Sequence, residues 1–430
     1  MTVAVAGLWH LGTVTAACLA GSGQNVIGWD ENAETIQGLQ IGRAPIFEPG
    51  LDELLRKGRE TGKLQFSCDP KTLGNAELVW ITYDTPVDEN DQADVEAVIR
   101  RAAALFPHLR IGALMLISSQ LPVGSTRRLE QLYKKSCPSG TVTFACSPEN
   151  LRLGKAIDAF TKPERIVVGV RSNADKARLE PLLKVYTERI EWVSVESAEM
   201  TKHALNAFLA TSVTFINELA TLCERVGADA REVERGLKSD IRIGARAYLR
   251  AGPSFAGGTL ARDVAYLMDI GEREGLPAHL FSAVKLSNDA HKEWPLRRLK
   301  ELSEGNLQGQ RVTVLGLTYK PGTDTLRRSS AVETCRWLHT QGVKVQAYDP
   351  AVKSLPDELQ AVIQLCVSVD DALRDSMAML VATEWPEFAA LKADTVVKSM
   401  RQATVLDPGG FLIKELGADA RVRYLTVGRS

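Results

Sequence analysis

The stretch Thr2-Val-Ala-Val-Ala-Gly-Leu-Trp-His-Leu-Gly12 decides the fold. A short apolar run ends in a glycine, and five residues later a second glycine opens an apolar helical run. Strand, glycine turn and helix in that order make the first unit of a dinucleotide-binding α/β fold, where G-x-G-x-x-G carries a pyrophosphate. Gly7 and Gly12 take the first and last glycine positions. Trp9 takes the middle one, where glycine normally lets the backbone approach the phosphates. About twenty residues further on, Asp30 closes the next apolar run, placed to bind a ribose 2′-hydroxyl and to repel a 2′-phosphate. These residues predict NAD rather than NADP, provided the Trp9 indole points away from the crevice. The alternative is a scaffold of the same fold with a closed nucleotide pocket.

Working outward, apolar runs at 2–7, 25–30, 77–83, 114–119 and 142–147 alternate with helical segments, which predicts a parallel sheet with crossover helices. Runs at 165–170 and 190–195 extend the sheet. From Glu196 the apolar spacing turns helical, with no proline or glycine until Gly227, so one long helix is expected. Helical sequence continues to about Lys300, and a polar, glycine-bearing linker follows. A second alternating unit runs through 311–317, 343–350, 377–383 and 403–410, with a helix around 330–342. The expected fold is α/β: two Rossmann-like doubly wound domains joined by a long central helix and a helical middle domain. The domains fall at 1–195, 196–300 and 301–430.

Bulk properties narrow the function classes. The 430 residues are 45% hydrophobic and 24% charged, ordinary for a globular chain. A formal net charge of −1 argues against nucleic acid as a partner. No apolar run reaches the roughly 18 residues a membrane span needs. The first residues enter a strand without a basic region, so no signal peptide is expected. Seven scattered cysteines without CxxC pairs suit a reducing cytoplasm, and neither they nor the six histidines show ligand spacing for a metal.

Ordered motifs then carry a specific resemblance. "GRAPIFEPGLDELL" (42–55), Thr85-Pro86, "SSQLPVG" (118–124) and "CSPENLRLGKAIDAFTKPERIVVG" (146–169) come first. "AEMTKHALNAFLA" (198–210), "SDIRIGARAYL" (239–249), "SFAGGTLARD" (254–263), "LGLTYKPGTDTLRRS" (315–329), "YDP" (348–350) and "TEWPEF" (383–388) follow. The chain resembles the UDP-glucose/GDP-mannose dehydrogenase family over nearly its whole length. The resemblance implies NAD-dependent oxidation of the C6 hydroxyl of a nucleotide sugar to a uronate, in polysaccharide biosynthesis, by a homodimer built on the central helix. UDP-glucose is the default substrate, with N-acetylhexosamine derivatives and GDP-mannose open.

The implied roles can be read residue by residue. Lys202 and Asn206, four apart and so on one helix face, bracket an oxygen that gains charge as hydride departs. Asp263 orients a water or the lysine, and Glu149 serves as base or water partner. Thr85, Pro86 and Ser119 lie on the cofactor side, and Arg327 contacts NAD from the third domain. Lys320 and Arg242 contact the nucleotide sugar, where an arginine can bind two phosphate oxygens at once. Tyr248 either stacks on a base or packs. Phe255, Gly257 and Gly258 form the turn beneath the reacting carbon.

Departures cluster on the same site. Thr259 stands where the family has its nucleophilic cysteine, and a hydroxyl needs a base that a thiol does not. Leu153 replaces a second glutamate, Gln120 a threonine, and Gly409-Gly410 an arginine that reaches a neighbouring subunit. Cys146 is the best-placed other thiol, but a buried strand-end cysteine behaves as a small hydrophobe. Three outcomes stay open. Oxidation runs to the acid through an aldehyde hydrate, or it halts at the aldehyde or a ketone, or the protein is an inactive nucleotide-sugar-binding partner or regulator.

Overall fold

Eight strands form one sheet: β1 (Thr2–Ala6), β2 (Asn25–Trp29), β3 (Leu64–Ser67), β4 (Leu78–Ile81), β5 (Leu114–Ile117), β6 (Thr143–Cys146), β7 (Ile166–Gly169) and β8 (Ile190–Val193). Their order is β3-β2-β1-β4-β5-β6-β7-β8. The first six reproduce the 3-2-1-4-5-6 order of dinucleotide-binding sheets, with the chain reversing direction of progress between β1 and β4. This computed structural model describes residues 1–86, 93–149, 151–256, 258–327 and 329–429. Gly257, expected in the substrate turn, lies outside the described residues. The chain divides into two compact units, Met1–Leu205 and Asn206–Ser430.

Strands β4 and β5 are buried at every position. A parallel strand covered on both faces reads as an unbroken apolar run, which is why "LVWI" and "LMLI" show no alternation. The one side-chain nitrogen or oxygen in β4 is answered, since Trp80 Nε1 donates to Ser118 Oγ at 2.8 Å. The sheet departs from the all-parallel expectation at one seam. β7 pairs with β6 antiparallel, Cys146 opposite Gly169, and β8 is parallel to β7. Strand direction has no compositional signature, so only the connections reveal it.

In the second unit, β9 (Arg311–Leu315), β10 (Lys344–Tyr348), β11 (Ile363–Leu365), β12 (Ala378–Val381), β13 (Thr404–Leu406) and β14 (Arg423–Leu425) form a parallel sheet. Its order, β11-β10-β9-β12-β13-β14, is again 3-2-1-4-5-6. Gly316 follows β9 with φ +86°, and Leu317 N donates to Asp349 Oδ2 at the end of β10 at 2.7 Å. Asp349 also accepts from Thr318 N and Oγ1, from Ala351 N and from Trp385 Nε1.

The long helix spans Val195–Val226, about 48 Å at 1.5 Å per residue. Gly227, at φ +76°, follows its last residue. Within the second unit its buried face carries Ala207, Ala210, Ile216 and Ala220, while Phe208, Phe215 and Leu222 stay exposed. Helices Ala230–Ser239, Thr259–Arg273, His279–Lys292 and Trp294–Leu302 follow. Residues 240–256 contain neither helix nor strand, contrary to a continuously helical middle. Gly244, Gly252 and Pro253 punctuate that stretch, and side chains rather than a backbone ladder hold it.

Candidate active site

The cofactor turn of the first unit is built on two absent Cβ atoms. Gly7 has φ +98°, and a Cβ there would lie 2.4 Å from the Tyr83 ring. A Cβ on Gly12 would lie 1.8 Å from the Gly7 carbonyl oxygen, so the helix His10–Gly21 meets the turn only through glycine. Asp30 is buried at the end of β2 and ties the turn down: Leu8 N donates to its Oδ2 at 2.7 Å and Asn32 N to its Oδ1 at 2.9 Å. Trp9 begins the helix with its side chain 50% exposed, so the indole does not fill the protein interior.

Beyond the turn, Thr85 Oγ1 donates to Gln120 O at 2.7 Å, and the Pro86 carbonyl accepts from Asp94 N. The Ser119 hydroxyl is buried and has no hydrogen-bond partner among the described residues. A glycine cradle, the amides of a helix N-terminus and an unanswered buried hydroxyl together fit a dinucleotide, whose pyrophosphate and polar ring substituents need those groups. Gly7, Gly12, Asp30, Thr85, Pro86 and Ser119 therefore lie in the same unit, at or just beyond the carboxyl ends of β1, β2, β4 and β5.

Glu149 follows β6. Its Oε2 accepts from Leu151 N at 2.6 Å, and Lys202 Nζ, from the long helix, donates to its backbone oxygen at 2.6 Å. The two charged groups are 4.0 Å apart. Cys146 is not a substitute nucleophile: burial, reinforced by the nearby Glu199 charge, pushes its thiol well above the ordinary range.

One carboxylate escapes sequence reasoning. Glu48, in the loop before the helix Leu51–Glu60, is almost wholly buried and accepts three hydrogen bonds. They come from His10 Nε2 at 2.9 Å, Gly154 N at 2.8 Å and Ala156 N at 2.9 Å. Burial works to raise its pKa, but His10 and the two amides outweigh burial and hold it below the usual carboxylate range.

In the second unit, Thr259 is the first residue of the helix Thr259–Arg273, after Gly258 at φ +98°. One turn on, Asp263 is fully buried and accepts from the Asn206 amide, itself buried. Within this unit no carboxylate or imidazole is hydrogen-bonded to the exposed Thr259 hydroxyl among the described residues. The turn before it is clamped from two helices. Asn288 Oδ1 accepts from Phe255 N and Asn288 Nδ2 donates to Phe255 O, both at 3.0 Å. Asn217 Oδ1 accepts from Gly252 N at 2.9 Å, and His291 Nε2 donates to Gly252 O at 2.9 Å.

The Tyr319 hydroxyl lies near Gly258, which brings the loop carrying Lys320 to the turn. Arg242, by contrast, is highly exposed and paired with Asp240 Oδ2 at 2.7 Å; Tyr248 and Arg327 are exposed as well. In the Gly409-Gly410 turn, Arg250 Nη2 donates to the Gly409 carbonyl at 3.1 Å. Among the described residues no group of three or more His, Cys, Asp and Glu is placed to hold a metal, and no helix is long and apolar enough to cross a membrane.

A 3-2-1-4-5-6 sheet with this glycine turn and acid latch is a dinucleotide-binding scaffold of the dehydrogenase kind. The chain belongs to the UDP-glucose/GDP-mannose dehydrogenase family: residues 1–188 match its NAD-binding domain, 196–290 its central domain and 313–414 its UDP-binding domain. It is 33% identical to UDP-glucose 6-dehydrogenase of Rhizobium meliloti (strain 1021), covering all of both chains. With the UDP-glucose 6-dehydrogenase of Bacillus subtilis (strain 168) identity is 32%, over 99% of this chain and 93% of that one. A solved UDP-glucose dehydrogenase from Pyrobaculum islandicum superposes with a TM-score of 0.87 at 29% identity, covering 100% of this chain and 98% of the other. By family, then, this is an NAD-dependent nucleotide-sugar dehydrogenase.

Proposed function

We propose that the chain oxidises a UDP-sugar, UDP-glucose by default, at C6 without a covalent thiol step. The observation that carries this is a buried Asn206–Asp263 couple together with a Thr259 hydroxyl to which, among the described residues, no carboxylate or imidazole of its unit is hydrogen-bonded. NAD, when bound, supplies the hydride acceptor; Gly7, Gly12, Asp30, Thr85, Pro86 and Ser119 hold it in the first unit, and Arg327 is assigned to it from the second. Glu149 takes the proton from the C6 hydroxyl. Lys202 and Asn206 donate to the oxygen as charge develops on it, and Asp263 fixes the Asn206 amide so that no reorientation is needed.

Once Glu149 has passed that proton to solvent, the aldehyde adds water to give a hydrate, with the Glu149 carboxylate relaying a proton from the water to the aldehyde oxygen. Loss of a second hydride and two protons from the hydrate leaves the carboxylate, so two cofactor molecules are reduced per uronate. Threonine contributes volume and polarity beneath C6 and forms no bond to it. Arg242, Lys320, Tyr248, Phe255 and Gly257 are assigned to the nucleotide sugar. A second reading, release at the aldehyde stage, is favoured by the same unactivated Thr259.

Product analysis by mass spectrometry alongside NADH absorbance tests both readings, with NAD and a panel of UDP- and GDP-hexoses. About two NADH per uronate supports the hydrate route, and one NADH with an aldehyde supports the halted route. Nucleotide-sugar binding without any NADH would sink the enzyme reading and leave a binding partner.

The working form is a homodimer through the central helix. Phe208, Phe215 and Leu222 recur every seven residues and are 68%, 51% and 58% exposed, an apolar seam suited to a second copy. Phe215→Glu should yield monomers in sedimentation; an unchanged dimer would remove this assignment. All seven cysteines are free thiols, which supports a cytoplasmic setting.

A further inference from the structure

The Glu48 carboxylate joins three segments that are remote in sequence. His10 belongs to the cofactor turn, 38 residues away, and Gly154 lies 106 residues away, on the segment that begins with Glu149. The helix Ala156–Thr161 needs this carboxylate, because its N-cap residue, Lys155, provides no side-chain cap. Glu48 receives Ala156 N in its place. The segment from 149 to 156 is thus fastened at both ends, by Lys202 on the Glu149 carbonyl and by Glu48 on the amides of Gly154 and Ala156. The Glu48 fastener also touches the glycine turn, through the His10 ring at the first residue of its helix.

We propose that Glu48 and His10 are positioning residues that couple dinucleotide binding in the glycine turn to the placement of the Glu149 segment. A ligand that fixes the turn fixes His10, His10 orients the carboxylate, and the carboxylate sets the amides at the far end of the segment. Groups held by buried hydrogen bonds in this way keep a reacting side chain within about half an ångström of its working position. The coupling rests on the dehydrogenase reading for its catalytic meaning, but not for its detection.

Hydrogen exchange of the Gly154 and Ala156 amides, with and without NAD and with no sugar present, reads it directly. In the unaltered protein NAD should slow both amides by about tenfold or more, since opening of the segment must then break the tie to an occupied turn. His10→Phe leaves both amide bonds to Glu48 in place yet removes the link to the turn, so most of the NAD effect should disappear. His10→Gln, whose amide can still donate to Glu48, should restore it. In turnover, His10→Phe should lower kcat by about tenfold, with His10→Gln recovering most of the loss.

Exchange that ignores NAD in the unaltered protein, or an NAD effect equally large in His10→Phe, overturns the coupling. If His10→Phe proves unstable, His10→Ala, which likewise leaves the two amide bonds to Glu48 in place, gives the same comparison. Because exchange needs no product, a failure here is separate from failure of any nucleotide sugar to yield NADH.

Discussion

Replacing Asn288 by alanine tests whether the turn before Thr259 is held by side chains rather than by its own backbone. Asn288 is 4% exposed and makes two hydrogen bonds of 3.0 Å, one to each backbone group of Phe255. A neutral hydrogen bond contributes about 1 kcal/mol net, so the loss is about 2 kcal/mol. It stays near that figure because Phe255 is only half-buried and water can reach the freed groups. For a unit of this size the melting temperature should fall by roughly 4–8 °C. Asn288→Asp separates the two bonds: the acceptor for Phe255 N survives, while a carboxylate oxygen is placed against the Phe255 carbonyl. It should be no more stable than the alanine variant. Loosening the turn that presents Thr259 should also reduce kcat/KM for the nucleotide sugar by about tenfold, since small misplacements at a reacting centre are expensive. Melting curves and initial rates suffice. A melting temperature within 1 °C of the unaltered protein, with unchanged kcat/KM, would refute the clamp.

Gly12→Ala should abolish NAD binding by calorimetry and lower stability, because its Cβ would lie 1.8 Å from the Gly7 oxygen and the turn must move. Thr259→Ala should keep kcat within about threefold; a loss beyond about a hundredfold would make Thr259 a nucleophile after all. His291 supplies a pH test. Burial lowers its pKa below the ordinary 6.5, and the Nε2 proton goes to Gly252 O. The folded state therefore favours the neutral ring, so the contribution is complete above pH 6.5 and is lost as pH falls through the folded value. His291→Gln, which still donates but does not titrate there, should shrink the stability loss between pH 7 and pH 5 measured by denaturant midpoints. Equal losses in both proteins would dismiss this group.

Much of this was legible because periodic or contiguous signals encode it. The long helix reads from its apolar spacing to within a residue at either end, since Gly227 stops it. Gly7, Gly12 and Asp30 read from one strand–turn–helix stretch, and each has a steric or hydrogen-bonding reason in the structure. Strand β3 is four residues of "LQFS", too short to stand out from turn sequence on both sides. The antiparallel seam at Cys146–Gly169 leaves no trace in composition. Glu48 sits within "PIFEPG", where a lone acid looks like ordinary loop polarity, and Asn217, Asn288 and His291 carry no local signal that marks them as clamps. Their partners lie 33 to 39 residues away for the asparagines and the histidine, and 106 for Glu48 with Gly154, distances at which no local pattern survives.

The two acid latches differ in one respect that sets the division of labour. In the first unit, Asp30 is engaged by two backbone amides, which leaves lone pairs for an incoming hydroxyl. In the second, Asp349 answers five donors, and one of them is the Trp385 indole. The indole is a fourth donor to Oδ2, the oxygen whose counterpart on Asp30 accepts from the Leu8 amide, so it takes acceptor capacity that the first latch leaves open to a sugar hydroxyl. A duplicated scaffold can thus be carried twice in one chain without creating two competing berths for the same coenzyme.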